Sequence, residues 1–415
     1  MIEERRLTRT WRELADWRAE VAGPLEGLSV VELQGRGPGP FGAMVLADLG
    51  AQVIRVARPQ DVAISDEGEI ERMVRGHRRV DLLARGRPSI AVDLKDDRGL
   101  EVVLRLVDAA DVLVEGYRPG VAERLGLGPE VCLGRNPRLI YARITGFGQD
   151  GPLAQRPGHD VNYVALSGAL ESLRRPGGVP TPPLNYLGDF GGGGMLLVVG
   201  VLSALFERST SGRGQVVDAS MVEGAALLTT LFHGMRAEGL FSDEPGTHVL
   251  SLAAPFYNVY ETADGGWISV GAGEPQFYEV LLERLGLDPE LLERQHDPTF
   301  WEADRERLAA VILTRTRSEW SALLEEVDAC ATPVLALGEV ADHPHHVARS
   351  SFVEVDGVVQ PAPAPRFSRT PAGIPGPPAM AGDQSVEILE GHGFSAAEID
   401  ALVDAGVVRQ AERAS

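Results

Sequence analysis

Cysteine is nearly absent from this 415-residue chain, which holds only Cys132 and Cys330. Two cysteines build no disulfide framework, and their separation is not that of a metal-binding pair, so a reducing, cytoplasmic setting is expected. Positive charge is also short. Lys and Arg number 39 against 60 Asp and Glu, a formal net charge of −21. Such a field repels phosphate and argues against a general nucleic-acid binder; an anionic ligand would need a local cluster of Arg and Lys. A long apolar span is missing too. The longest run, Met195 to Phe206, is too short to cross a bilayer and contains Gly200 and Ser203, so a buried core helix is expected and no membrane partner. The opening MIEERRLTRTWRELADW is charged and lacks the apolar core of a signal peptide.

Glycine (48) and proline (28) are abundant. Apolar segments recur between them, which predicts many tight turns in a soluble globular protein. The length allows two or more domains. Residues 1–24 read as an amphipathic helical extension carrying Trp11, Leu14, Ala15 and Trp17. From Gly27 the pattern changes: LSVVEL predicts a buried strand, QGRGPGP a loop, FGAMVLADLGA a helix and AQVIRVARP a second strand. This β–loop–α–β unit opens a doubly wound parallel sheet. GRGPGP departs from a dinucleotide fingerprint, because its prolines stand where backbone N–H donors are needed. Residues 60–80 read as a polar surface insertion. PSIAVDL, DVLVEGY and RLIYARITGFG predict further strands, and Leu100, Val103, Leu104 and Val107 give Asp96–Ala109 a helical spacing. The expected fold is α/β, a Rossmann-like parallel-sheet large domain with its ligand at the carboxyl ends of the strands.

SGRGQVVDASMVEGAALLTTLF reads as a turn, a strand and one long helix. A polar, turn-rich stretch at Gly239–Gly246 marks a boundary. Beyond it, APFYNVYETADGGWISVGA predicts a hairpin around DGG, helices follow from Glu274 and within 300–327, and CATPVLAL predicts a short strand. Residues 355–385 are Pro-rich and read as an extended crossing to a final helix, whose start is marked by the Ser395–Glu398 capping box. The expected division is a large domain from 25–245 with 346–415, and a smaller α+β domain from 246–345.

Two titratable residues stand out in glycine-rich surroundings: His159 in GHDVNY and Asp189 in NYLGDFGGGG. Basic residues recur at the strand ends: Arg55, Arg58, Arg85, Arg87, Lys95, Arg118 and Arg124. They are either solvated surface charges or the donors of an anion site, for which phosphates suit the planar guanidinium fork. Taken singly, these residues have plain structural readings. An aspartate before a helix is commonly an N-cap, a histidine in a loop a surface residue, and Glu274 a first-turn carboxylate facing the helix dipole. His343, His345 and His346 have no cysteine or carboxylate cluster beside them and read as surface residues.

The long ordered segments LSVVELQGRGPGPFGAMVLADLGAQVIRVARP, DVLVEGYRPGVAERLGLGP, LIYARITGFGQDGPLAQRPGHDVNYVALSG, PPLNYLGDFGGGGMLLVVGVLSALFER and SGRGQVVDASMVEGA resemble the family III CoA-transferases, and within them the α-methylacyl-CoA racemases. The resemblance runs from about Gly27 to Gly376, and the final helix is also similar. It implies that Asp189 is the shared aspartate, a nucleophile in the transferases, and that His159 of the GHD motif makes it half of an acid/base pair. It further implies Glu274, from GAGEPQFY, and Asn185, from NxxGD, as their supports. CoA is expected at Arg58, the segment Val92, Asp93, Leu94 and Lys95, the segment Gly116, Tyr117 and Arg118, then Arg124, Gly158, Asp160 and Tyr163. The family likeness implies an interlocked homodimer, no metal, and no cofactor beyond the CoA of the substrate. The expected activity is racemisation of 2-methylacyl-CoA thioesters. CoA transfer through Asp189 is the alternative, and non-catalytic acyl-CoA binding is the reading from another class. Met and aromatic residues of the Leu227–Met235 helix are either an apolar surface for an acyl chain or part of the core.

Overall fold

The computed structural model describes residues 23–62 and 81–411. The expected N-terminal extension up to residue 22 and residues 63–80 of the expected insertion lie outside them. The described strands are β1 (Ser29–Leu33), β2 (Gln52–Ala57), β3 (Ser89–Val92), β4 (Val112–Glu115), β5 (Ile140–Thr145), β6 (Gln215–Ser220), β7 (Tyr257–Glu261), β8 (Trp267–Gly271), β9 (Ala331–Pro333), β10 (Phe352–Val355), β11 (Val358–Pro361) and β12 (Val408–Arg409). Two compact units result. One holds the described residues up to Ser167, Pro183–Leu228 and the described residues from Ser350; the other holds Gly168–Pro182 and Thr229–Arg349. The division thus falls at Leu228 rather than at 245, and a short upstream segment joins the second unit.

The first unit is built on a seven-stranded sheet of order β12-β3-β2-β1-β4-β5-β6. Strands β1 to β6 run parallel, and β12 closes one edge antiparallel to β3. Strands β3, β4 and β5 are buried along their whole length, as expected of parallel strands covered on both faces. Successive residues go to opposite faces. Val30, Val53, Val112 and Ile140 enter one core with α1 (Pro38–Asp48). Val31, Ile54, Leu113 and Tyr141 enter the other with α2 (Asp97–Asp108). Each fully buried Val, Leu or Ile contributes about 1.5–3 kcal/mol relative to exposure.

Three basic residues expected among the anion-site candidates serve this core instead. Arg87 is paired with buried Glu32, Arg85 with Asp48, and Arg55 donates to Asp81 at 3.3 Å. The Pro-rich stretch is held to the same unit and is not a free crossing. β10 and β11 form an antiparallel hairpin, Arg85 Nη1 donates to the Pro361 carbonyl at 2.8 Å, and the Gly86 N–H to the Gly376 carbonyl at 2.9 Å.

The segment around Asp189 differs most from expectation. Tyr186–Met195 is a π-helical stretch, continued by the α-helix Leu196–Ser211. Together they span 26 residues, the one helical run among the described residues long and apolar enough to cross a bilayer by length and composition. Leu197, Val198, Val201 and Ala204 nevertheless pack in the core under β5 and β6, as a core helix does. Its other face is open in the chain, with Val199 55% and Phe206 80% exposed. The glycines allow backbone to meet backbone. A Cβ on Gly192 would lie 2.5 Å from the Ala225 nitrogen and 2.9 Å from the Gly224 carbonyl carbon, both in the helix Met221–Leu227. That helix ends at Leu227, and Thr230–Ala237 forms a separate helix, so the single long helix is not found.

The second unit has a three-stranded antiparallel sheet, β7-β8-β9. Its core includes Phe256, Tyr278, Leu281, Ile312 and Trp320. Glu274 is exposed at the N-cap of the helix Pro275–Leu285. His343 bonds to Glu325 at 3.2 Å.

Gly192→Ala is expected to lower the unfolding free energy by about 1–3 kcal/mol, the usual cost of overpacking, because the atoms its Cβ meets are backbone. Urea denaturation of wild type and variant checks this; equal midpoints would contradict the close approach.

Candidate active site

In a parallel sheet of order 3-2-1-4-5-6, the chain leaves β1 and β4 toward opposite sides, and a crevice opens beyond their carboxyl ends. Here that crevice is a cavity of about 450 Å³. Gly35–Gly37 line it from the loop after β1 and Pro38–Pro40 from the first turn of α1, Gly116–Pro119 from the loop after β4, and Gly146 and Phe147 from the loop after β5. Arg156–His159, Tyr163, Asp189 and Met221 complete much of the wall.

His159 is the residue before the helix Asp160–Leu166. Its backbone N–H donates to Asn162 Oδ1 at 3.0 Å, which fixes the start of that helix. Asp189 lies inside the π-helical stretch and is not a simple N-cap. Its backbone N–H donates to Asp160 Oδ1 at 2.6 Å. Gly188 makes this possible, since a Cβ there would lie 2.5 Å from the same oxygen. The Asp189 side chain accepts from Asn185 Nδ2 at 2.6 Å. Gly37, with φ +66, covers it from the β1 loop: a Cβ at that position would stand 2.9 Å from Asp189 Oδ2. Phe190 of the π-helical stretch stacks on Phe41 of α1, with centroids 4.7 Å apart.

Burial pushes the Asp189 carboxyl above its ordinary range, and the Asp160 charge acts in the same direction. The Asn185 hydrogen bond and His159 pull the other way. Asp160 is itself buried, and its Oδ2 has no hydrogen-bond partner. It holds the Asp189 backbone and adds negative charge beneath the carboxyl.

The expected site residues separate into three groups. His159, Asp189, Gly116, Tyr117, Arg118, Gly158 and Tyr163 share the cavity, and Asn185 reaches it through Asp189. Arg58, Val92, Asp93, Leu94, Lys95, Arg124 and Asp160 do not line it. Val92 is a buried strand residue paired with Val408. The Asp93 N–H donates to the Val407 carbonyl at 2.8 Å, and Leu94 packs against the core. Lys95 and Arg124 are exposed. Arg58 is exposed and grips Asp61 at 2.9 and 3.0 Å. Arg58 and Asp93–Lys95 follow β2 and β3, and so stand on the same carboxyl-end rim as the cavity. Asp160 supports Asp189 from below. Glu274 belongs to the second unit.

Several contributors escaped the sequence reading. Arg36 and Arg156 line the cavity from Gly/Pro-rich loops; the available signal was their place in such loops, Arg156 just ahead of the GHD motif. Glu115 is fully buried, and its carboxylate accepts the Tyr117 N–H at 2.7 Å and Arg143 Nε at 2.7 Å. It thereby sets the loop that carries Arg118. Nothing in the strand pattern of DVLVEGY marks that role.

Fold and site together define an α/β protein with a histidine and an elevated carboxyl in a crevice rimmed by guanidinium groups. Residues 25–384 match the profile of CoA-transferase family III, and the chain belongs to that family. It is similar to the alpha-methylacyl-CoA racemases of Mus musculus, 47% identical over 380 residues, and of Homo sapiens, 45% identical over 378 residues. Each match covers 90% of this chain and 95% of the relative. The crystal structure of a CAIB/BAIF family protein from Brucella suis superposes with a TM-score of 0.75 at 27% identity, covering 89% of this chain and 100% of that one.

Removing the Asn185 amide deprives the ionised Asp189 carboxylate of a donor, so the pKa must rise. Asn185→Ala is expected to move the Asp189 midpoint upward, because a charge-assisted hydrogen bond to the ionised form is lost. A carbon-detected NMR titration of labelled aspartate reads the shift; a downward shift would contradict the assignment.

Proposed function

We propose that the protein is an α-methylacyl-CoA racemase that inverts the α-carbon of 2-methylacyl-CoA thioesters. The observation that carries this reading is the pair in one cavity: an imidazole, and a carboxyl whose affinity for a proton is raised. The α-proton of a thioester is weakly acidic. One group removes it, and the C–H electron pair moves into the carbonyl to leave an enolate oxygen. The other group then delivers its proton to the opposite face, and the electron pair returns to the α-carbon. One turnover takes neutral His159 with protonated Asp189 to protonated His159 with ionised Asp189, or the reverse. Total charge is unchanged, and the opposite enantiomer resets the pair. A raised carboxyl pKa brings the two proton affinities closer, which serves both directions.

The enolate oxygen needs donors. Pro38 and Pro40 have no N–H, and the Phe41 N–H is bonded to the Gly37 carbonyl at 3.0 Å. The N–H groups of Gly37, in the β1 loop, and Gly39, in the first turn of α1, are therefore the donors proposed. Arg118 and the Gly116 backbone are assigned to the CoA diphosphate, with Tyr117 beside them and Arg58 further along the rim. The functional unit is proposed to be an interlocked cytoplasmic homodimer in which Glu274 of one subunit orients His159 of the other. No cofactor beyond the CoA of the substrate is invoked. Family membership keeps CoA transfer through an Asp189 anhydride as the second reading.

Incubation of a single enantiomer of a 2-methylacyl-CoA in heavy water, with no acceptor acid, is expected to give racemisation with deuterium at the α-carbon. His159→Ala and Asp189→Asn should each cost about 10²–10⁴-fold in rate, the usual worth of a positioned acid or base. Transfer of CoA to an added acid without α-exchange would support the second reading. Gel filtration should give twice the 44.5 kDa of the chain; an active monomer would contradict the placement of Glu274.

A further inference from the structure

Arg36, Arg118 and Arg156 line the cavity that holds His159 and Asp189, and Asp189 is the only carboxylate in that lining. Arg36, Arg118 and Arg156 are exposed to solvent and have no carboxylate partner among the described residues, whereas the buried Arg85, Arg87, Arg143 and Arg208 are each paired with one. In a chain of net charge −21, three unpaired guanidiniums around one elevated carboxyl make a local positive field. Such a field concentrates an anionic ligand.

CoA accounts for one of them. Arg118 follows β4 beside Tyr117, whose hydroxyl feels the Arg58 charge, so it belongs to the rim assigned to the diphosphate. Arg36 and Arg156 are tethered elsewhere. Arg36 is bonded to Gly37, where an added Cβ would stand 2.9 Å from Asp189 Oδ2. Arg156 precedes His159 by three residues, a span of at most about 11 Å. Both are thus tied to the two groups that flank the reacting carbon. A purely alkyl acyl chain would cover these guanidiniums with apolar surface and leave them unpaired, which is costly. A carboxylate would satisfy them through charge-assisted, planar donor pairs.

We propose that Arg36 and Arg156 form a carboxylate clamp, and that the substrate class is the CoA monothioester of a 2-methyl-branched dicarboxylic acid. The inference rests on the racemase reading and adds the nature of the acyl group. The CoA phosphates are the competing source of negative charge, and the test separates the two.

The full-length protein is assayed for α-deuterium exchange on two thioesters of equal chain length, one ending in a methyl group and the other in a carboxylate. Free CoA is titrated calorimetrically in parallel. The carboxylate-ended substrate is expected to have a kcat/KM at least tenfold higher. Arg36→Leu and Arg156→Leu should each erase that preference, chiefly through KM, with the Kd for free CoA within twofold of wild type. Arg36→Lys, which keeps the charge, should retain part of the preference. Equal or faster exchange of the methyl-ended substrate by wild type would overturn the clamp while leaving the racemase reading in place. A tenfold weaker Kd for free CoA in the leucine variants would also overturn it, assigning these arginines to the diphosphate. Exchange of neither thioester would contradict the racemase reading and the clamp with it.

Discussion

The contact on which the site depends is one of backbone against backbone. The π-helical stretch carrying Asp189 lies against α1 on one side and the helix after β6 on the other. At Gly192 and Gly194 there is no room for a side chain: a Cβ on Gly194 would stand 2.7 Å from the Pro38 carbonyl oxygen. This packing fixes Asp189 relative to the β1 loop, whose Gly37 closes over its carboxylate. The wide turn of a π-helical stretch is uncommon and frequent at functional sites. Here the turn presents Asp189 at the cavity, with its N–H taken by Asp160 instead of completing a regular helical ladder.

That arrangement opposes stability. A carboxyl whose folded pKa is raised contributes most below its unfolded pKa, and the contribution is lost as pH rises through the folded value. Asp189 is such a group: burial comes first among the causes of its shift and the buried Asp160 charge adds to it, against the Asn185 amide and His159. Ionising Asp189 in the folded protein therefore carries a cost that the surrounding core must offset. In the proposed mechanism the same environment serves the chemistry, because an ordinary exposed aspartate would be a poor partner for an imidazole in two-way proton transfer.

Much of the framework was legible in the sequence, for physical reasons. LSVVEL, AQVIRV, SIAV, DVLVE and IYARIT are continuous β-branched and apolar runs, and strands buried on both faces need such runs. Their parallel order then places the crevice. The Ser395–Glu398 box was legible because a cap is a local hydrogen-bond pattern, and Ser395 does accept the Glu398 N–H. The division of the arginines was not legible. Arg55, Arg85 and Arg87 look like Arg118 in sequence, but their partners Asp81, Asp48 and Glu32 are brought to them only by the folded sheet. Asp160 sits in a motif read as ligand-binding, and its burial under Asp189 depends on a residue 29 positions away. The π-helical stretch was hidden because glycine runs carry no periodicity, and the hairpin β10–β11 because proline-rich sequence reads as extended.

The central claim is that His159 and Asp189 serve opposite faces of one carbon. Its most direct test is α-hydrogen exchange in heavy water, measured separately on the S and R thioesters for His159→Ala and Asp189→Asn. The account predicts a mirrored result: each variant still exchanges the enantiomer whose proton faces the surviving base, without inverting it, and loses exchange of the other. Equal loss for both enantiomers in both variants would contradict a two-base site.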